Sequence, residues 1–259
     1  MYAFDIERPS TVAEAVSALG GEAQALGGGQ TLIPTLKARL ASPDKLVSLS
    51  GVSEMEGISS AGGVLTIGGA TTHADVASDG TYKALSELAS HIGDPAVRNR
   101  GTIGGSLANN DPAACYPAAA LGSGATIVTN SREIAADDFF QGMFDTALNE
   151  GEIITGVKFP IPEKANYQKF VQPASRFALV GVFVSKSASG VRVAVTGASN
   201  EGVHRWGAAE EALNANFSAS ALDGLSVPAD NLISDLHGSP DYRAHLVKVL
   251  TGRAVTAAS

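Results

Sequence analysis

Two short glycine-rich stretches hold the residues best placed for chemistry in this chain. The first is Gly27-Gly28-Gly29-Gln30-Thr31. The second is Thr102-Ile103-Gly104-Gly105-Ser106, led in by Arg98, Arg100 and Gly101. Glycine permits positive φ and lets a ligand come close to the backbone. Amides at the start of a helix face outward with partial positive charge, which suits phosphate. Each stretch sits where the pattern expects a strand to turn into a helix. Two such loops on one domain suit a ligand with two linked phosphates, and a dinucleotide such as FAD is the simplest candidate. Arg98 and Arg100 could neutralise phosphate charge. Ser106, Asn109 and Asn110 add neutral hydrogen-bonding groups, and Asp111 and Pro112 then turn the chain. Either loop alone also reads as a plain glycine turn, the second with solvated arginines. The first loop is not a Walker A, because no Gly-Lys-Ser/Thr follows, and not a Rossmann fingerprint, because Leu32 stands at the third glycine's place.

Those loops need a packed scaffold. With 259 residues, 44% hydrophobic and 17% charged, the chain can build one or two domains around a core. The formal charge of −8 argues against a nucleic-acid surface, which needs clustered Lys and Arg. A single cysteine, Cys115, excludes an internal disulfide and a Cys-ligated zinc or iron–sulfur site. His73, His91, His204, His237 and His245 are scattered without metal-ligand spacing. Any metal redox centre is therefore expected on another chain. The absence of a basic-then-apolar leader and of a transmembrane-length apolar run gives the expectation of a soluble cytoplasmic protein.

The start alternates helix and strand. Ser10 and Thr11 cap a helix through Val12, Ala15, Val16 and Leu19; Ala23 to Leu26 is a strand that enters the first glycine loop. Thr31 is the expected cap of a helix with Pro34 in its first turn and Leu32, Leu36 and Leu40 toward the core. Leu46 to Leu49 closes a βαβ-like unit. A second unit has strands at Val64 to Ile67, Ala125 to Thr129 and Ile153 to Phe159, with Thr72 capping a short helix and Asp75 three residues on. Ala84 to His91, the apolar Pro117 to Leu121, and Asp137 to Phe140 complete it. Phe139, Phe140, Met143 and Phe144 read as core. Pro160-Ile161-Pro162-Glu163-Lys164 is the boundary candidate. Beyond it, Phe177 to Val184 and Val191 to Val195 form a hairpin across Ser187-Ala188-Ser189-Gly190. Helical spacing follows in Ala208 to Leu213, Ala219 to Leu222 and Tyr242 to Val255.

The run from Ile92 to Ala114, Ile-Gly-Asp-Pro-Ala-Val-Arg-Asn-Arg-Gly-Thr-Ile-Gly-Gly-Ser-Leu-Ala-Asn-Asn-Asp-Pro-Ala-Ala, closely resembles the signature of the FAD-binding medium subunit of molybdenum hydroxylases, the xanthine dehydrogenase and aerobic carbon monoxide dehydrogenase family. The first loop fits that family's Ala-Gly-Gly-Gln-Ser/Thr pattern, with Gly27 in place of alanine. Ile67-Gly68-Gly69-Ala70-Thr71-Thr72-His73, Gly151-Glu152-Ile153-Ile154 and Pro173-Ala174-Ser175-Arg176 extend the match over essentially the whole chain.

The resemblance implies an α+β chain. It has an FAD-binding fold of the vanillyl-alcohol oxidase type over 1–162, with two α/β subdomains of about 1–55 and 56–162. A small C-terminal domain of the CO dehydrogenase flavoprotein kind follows over 163–259. FAD is expected to bind non-covalently, its pyrophosphate on Gly27, Gly28, Gly29, Gln30 and Thr31 and on Thr102, Ile103, Gly104, Gly105 and Ser106. Asn109 is expected near the flavin or its ribityl chain, Ile153 and Ile154 beside the ring system, and Lys169 at the flavin edge. Many relatives carry aspartate where this chain has Cys115, read here as a small buried residue; that contact is expected to pass to Asp111 or a water, or to be lost. His73 reads as a surface residue at a capped helix start. The expected partners are a large subunit with the molybdenum cofactor and a small subunit with two [2Fe-2S] clusters, arranged as a dimer of heterotrimers. NAD, quinone or oxygen is the acceptor. No catalytic acid–base pair and no metal ligand is expected on this chain. A stand-alone FAD-dependent reductase on the same fold and a non-catalytic assembly module are the other readings.

Overall fold

The computed structural model, which describes residues 1–173 and 175–258, begins with parallel strands. β1 (Asp5–Glu7), α1 (Val12–Ala18), β2 (Ala23–Leu26), α2 (Leu32–Lys37) and β3 (Lys45–Ser48) build a sheet of order β1-β3-β2, parallel at both pairings. The Thr11 hydroxyl starts α1 by accepting from the Glu14 amide. Ala15 and Ala18 then bury against Val47, Leu49 and Val52. Leu40 does not reach the core. α2 ends at Lys37, Arg39 turns the chain with φ 59°, and Leu40 is left 79% exposed.

A 3-10 turn at Ser53–Met55 leads into the second unit. It comprises β4 (Ile58–Ala61), β5 (Val64–Gly68), α3 (His73–Asp79), α4 (Lys83–Ser90), α5 (Pro95–Arg98), α6 (Ile103–Asn109) and α7 (Cys115–Ser123). The chain continues through β6 (Thr126–Thr129), β7 (Glu133–Ala135), α8 (Ala136–Phe139), the small hairpin β8 (Phe140–Gly142) and β9 (Asp145–Thr146), and β10 (Ile154–Pro160). The sheet order is β4-β5-β10-β6-β7, antiparallel throughout. α7 is buried from Cys115 to Gly122, as befits a helix apolar on every side. Phe139 is core as expected, but Met143 and Phe144 are exposed. They lie at the β8–β9 turn, where Phe144 takes φ 58°.

β11 (Lys164–Lys169), β12 (Gly181–Ser187), β13 (Gly190–Thr196) and β14 (His204–Arg205) form an antiparallel sheet in that order. α9 (Gly207–Ala215) and α10 (Pro240–Ala257) cover it, and valines 182, 184, 193 and 195 meet Leu246 and Leu250 in the core between. The strand starts at Gly181, not Phe177, which is 51% exposed before it. This unit is fastened to α7: the Ser185 hydroxyl donates to the Gly122 carbonyl at 2.6 Å and Arg192 Nε to that of Leu121 at 2.8 Å. A shared core also joins Leu65, Leu85 and Tyr116 to Tyr167, Phe183 and Ala194.

Candidate functional site

The two glycine stretches meet. Gly28 lies so close to the second stretch that a Cβ on it would fall 1.9 Å from the Arg100 carbonyl oxygen; one on Gly27 would fall 3.0 Å from Thr102 Oγ1. Around this junction is a cleft of about 590 Å³. It is lined by Gly27, Gly28, Gly29, Gln30 and Thr31 on one side and by Thr102, Gly104, Gly105, Ser106 and Asn109 on the other. Asp111, Ile153, Ile154 and Lys169 complete the expected set, and Cys115 lines the cleft beside them. Ile103 is the exception: its side chain is fully buried in the core behind the cleft.

The stretches are built differently. The first leaves β2 and enters α2, as expected, and Gly29 takes φ +73°, a conformation that favours glycine. The helical ladder already begins there, with Ile33 N–H donating to the Gly29 carbonyl at 3.0 Å. Thr31 therefore has helical φ and ψ, and its hydroxyl does not cap the helix. Among the described residues, the amides of Gly28, Gly29, Gln30 and Thr31 donate to nothing in the chain. The Gln30 side chain instead donates to the Gly28 carbonyl at 3.2 Å.

The second stretch follows a helix, not a strand. The Asp94 carboxylate caps α5 by accepting from the amides of Ala96 and Val97, with Pro95 at its first position. The two glycines after Thr102 are the first turn of α6, and their amides are already used. Ile103 donates to the Thr71 carbonyl at 3.1 Å, Gly104 to that of Gly69 at 2.9 Å, Gly105 to Thr102 Oγ1 at 3.2 Å, and Ser106 to the Thr102 carbonyl at 3.0 Å. Neither Gly104 nor Gly105 has positive φ. Gly104 is required by close packing, since a Cβ would lie 2.6 Å from the Gly69 carbonyl oxygen. The amides of Ile103 to Ser106 are thus engaged within the chain, whereas among the described residues the Thr102 amide has no partner. What this wall offers is the exposed Gly105 and the polar side chains of Ser106 and Asn109.

Arg98 and Asn110 are also committed. Arg98 Nη1 donates to the carbonyls of Ile92 and Gly93 at 3.0 and 2.9 Å, which ties it to the turn before α5. Arg100 is exposed, and neither arginine lines the cleft. Asn110, with φ 41°, is buried and donates to the carbonyls of Gly142 and Asp145. Lys169 Nζ reaches the His91 carbonyl at 2.8 Å from the cleft wall. Asp111 is half-buried; burial pushes its carboxyl pKa up, against the Ala113 amide that donates to it. Cys115 is buried at the start of α7, on the cleft floor.

His73 is not a surface residue. It is 5% exposed, its ring centroid lies 5.2 Å from that of Tyr116, and it lines the cleft. Burial, and secondarily Arg98, pull its pKa down to about 4. Sequence reading placed its helix start correctly, since Thr72 accepts from the Asp75 amide, but not its burial, which depends on Gly101 leaving room for the ring. Phe144 and Arg176 also line the cleft unforeseen. Of the Pro173 to Arg176 motif, Ala174 lies outside the described residues. Glu152, at the rim, binds Arg132, Thr129, Ser131 and the Asn149 amide. The Arg132 hydrogen bond first of all holds its carboxyl well below the usual range.

Among the described residues no group of three or more His, Cys, Asp or Glu could hold a metal ion, and no helix is long and apolar enough to cross a membrane. Residues 2–162 match a family described as the FAD binding domain in molybdopterin dehydrogenase. The chain is 31% identical to the glyceraldehyde dehydrogenase medium chain of Sulfolobus acidocaldarius, over 97% of this chain and 96% of that one. It is equally 31% identical to the carbon monoxide dehydrogenase medium chain of Hydrogenophaga pseudoflava, over 98% and 96%. Among solved structures, a chain of quinoline 2-oxidoreductase from Pseudomonas putida 86 superposes with a TM-score of 0.87 at 32% identity, covering 98% of this chain and 96% of that one.

Proposed function

Since the chain belongs to the FAD-binding medium subunits of the molybdenum hydroxylases, a family of oxidoreductases, we propose that it holds FAD non-covalently in this cleft and relays electrons from an iron–sulfur subunit to an external acceptor. The observation that carries the reading is the junction of the two glycine stretches under one cleft, beside four amides that no described residue pairs.

The residues present fit such a ligand. The amides of Gly28, Gly29, Gln30 and Thr31 would hold the diphosphate, whose charge suits converging N–H groups. Gly27 keeps the approach open. Thr102, Gly105, Ser106 and Asn109 would form the opposite wall, through close backbone approach and side chains. Ile153 and Ile154, both buried, would shield the ring system from water, with Asp111 and Lys169 as its polar neighbours. Bound FAD supplies redox chemistry that can take electrons singly and deliver them in pairs, while the protein binds, orients and shields it. No proton donor or acceptor on this chain is required for that role.

The proposal extends to the assembly: a large subunit with the molybdenum cofactor, a small subunit with two [2Fe-2S] clusters, a dimer of heterotrimers, and a cytoplasmic setting. NAD, quinone or oxygen accepts the electrons. The relatives' names cover glyceraldehyde, carbon monoxide and quinoline, which supports placing substrate choice on another chain. The FAD-binding part is assigned to 1–162, in subdomains of about 1–55 and 56–162, ahead of a C-terminal domain over 163–259. Purification with the partner subunits, an absorption spectrum and the mass of the released cofactor test the proposal. One FAD per chain, bleached by substrate and restored by acceptor, is the expected result. A folded, colourless chain that ignores added FAD overturns it.

A further inference from the structure

The imidazole of His73 meets no hydrogen-bond partner among the described residues. Among the described residues its ring nitrogens have no hydrogen-bond partner, and Nδ1 is sealed from solvent. A buried polar atom left unpaired is costly, and such groups mark a missing water, ion or ligand. The ring is nevertheless fixed tightly. Its backbone amide donates to the Gly101 carbonyl at 2.9 Å. Its Nε2 occupies the space of a Gly101 side chain, 2.5 Å from where that Cβ would be. Tyr116 packs on its other side, and the residue lines the cleft at the foot of the second glycine stretch.

The geometry points to His73 as a neutral hydrogen-bond donor to the dinucleotide, a cofactor-positioning residue on the wall where the amides of Ile103 to Ser106 are already engaged. With Nδ1 sealed, the one proton of a neutral imidazole is best carried on Nε2, the nitrogen that retains access to the cleft. Buried and held between Gly101 and Tyr116, the imidazole can set a ligand's position by one directed bond. Burial beside the Arg98 cation keeps the ring neutral, so its contribution is a directed hydrogen bond and not a charge. This inference rests on the FAD reading above.

Nitrogen-15 NMR of the histidine-labelled full chain, freed of flavin and titrated with FAD, tests it. Assignment comes from His73→Phe. Expected are one protonated and one unprotonated ring nitrogen on His73 at neutral pH, with the protonated signal moving on addition of FAD. His73→Phe, which preserves the packing, is expected to weaken FAD binding about tenfold, while His73→Gln, which keeps a donor, stays within about threefold of wild type. Wild type that binds FAD with unmoved His73 signals overturns the inference, as does His73→Phe binding as tightly as wild type. If His73→Phe does not fold, the wild-type NMR titration decides alone, with assignment from His73→Gln. Failure of the wild type to bind FAD at all brings down the parent proposal instead.

Discussion

The two glycine stretches look alike in sequence and act by different physics. At Gly27 to Thr31 the chain leaves a strand end, passes through left-handed Gly29, and presents four amides that none of the described residues uses. From Ile103 to Ser106 every amide has a partner, and Gly104 exists to let two backbones touch. One loop is a donor surface and the other is a spacer. A glycine pair before a helix therefore does not by itself indicate an anion site; where the amides point must be known first.

Substitutions separate the two roles. The largest effect is expected from Gly28→Ala, whose new Cβ would meet the Arg100 carbonyl oxygen at 1.9 Å. Backbone cannot yield as a side chain does, so a loss of about 3 kcal/mol in urea unfolding and complete loss of bound flavin in the absorption spectrum are expected. Gly104→Ala, 2.6 Å from the Gly69 carbonyl oxygen, should cost about 2 kcal/mol, yet the folded protein should still retain FAD. If it loses flavin as Gly28→Ala does, the division into donor and spacer fails.

Acidification probes the spacer side. His73 stays neutral in the fold down to about pH 4, against an ordinary value of 6.5. Below 6.5 the unfolded chain binds a proton that the folded chain refuses, so stability falls as pH drops through this window. The loss attributable to His73 should reach about 2 kcal/mol near pH 5, at ~1.4 kcal/mol per pH unit. It is measured as the extra destabilisation of wild type over His73→Phe between pH 7 and 5 in chemical denaturation. The smallest contrast lies in the two threonines. Thr102→Ala removes a working cap and should cost about 1 kcal/mol. Thr31→Ala, whose hydroxyl caps nothing, should change stability by less than about 0.5 kcal/mol. Thermal melts of the pair check this.

What sequence could reveal was local. Thr11 and Thr72 act as caps where the sequence placed them, Thr72 with Asp75 three residues on, and the strand Ala23–Leu26 has the expected bounds. These depend on neighbours three or four residues away. The misses depend on distant partners or weak patterns. β1 has three exposed residues and no alternation, so its pairing with β3 left no periodic trace. The fate of the α6 amides was decided by Thr71 and Gly69 on another turn of chain, and the burial of His73 by Gly101. α5 had a readable signal, Asp94 followed by Pro95, but spans only four residues and carries no apolar stripe. The cleft's membership was legible through motifs, whereas the split between its two walls was not.

Gly28 resting on the Arg100–Gly101 backbone has a consequence for assembly. The donor surface belongs to a small parallel-sheet unit, and the surface it abuts belongs to a separate antiparallel one. The cleft is lined from both units, so the proposed binding site comes into being only when the two dock. A cofactor seated there would act as a rivet between them. Its concentration should then set how firmly the N-terminal unit stays closed, and cofactor-free chain should be cut by protease first at the seam between the units.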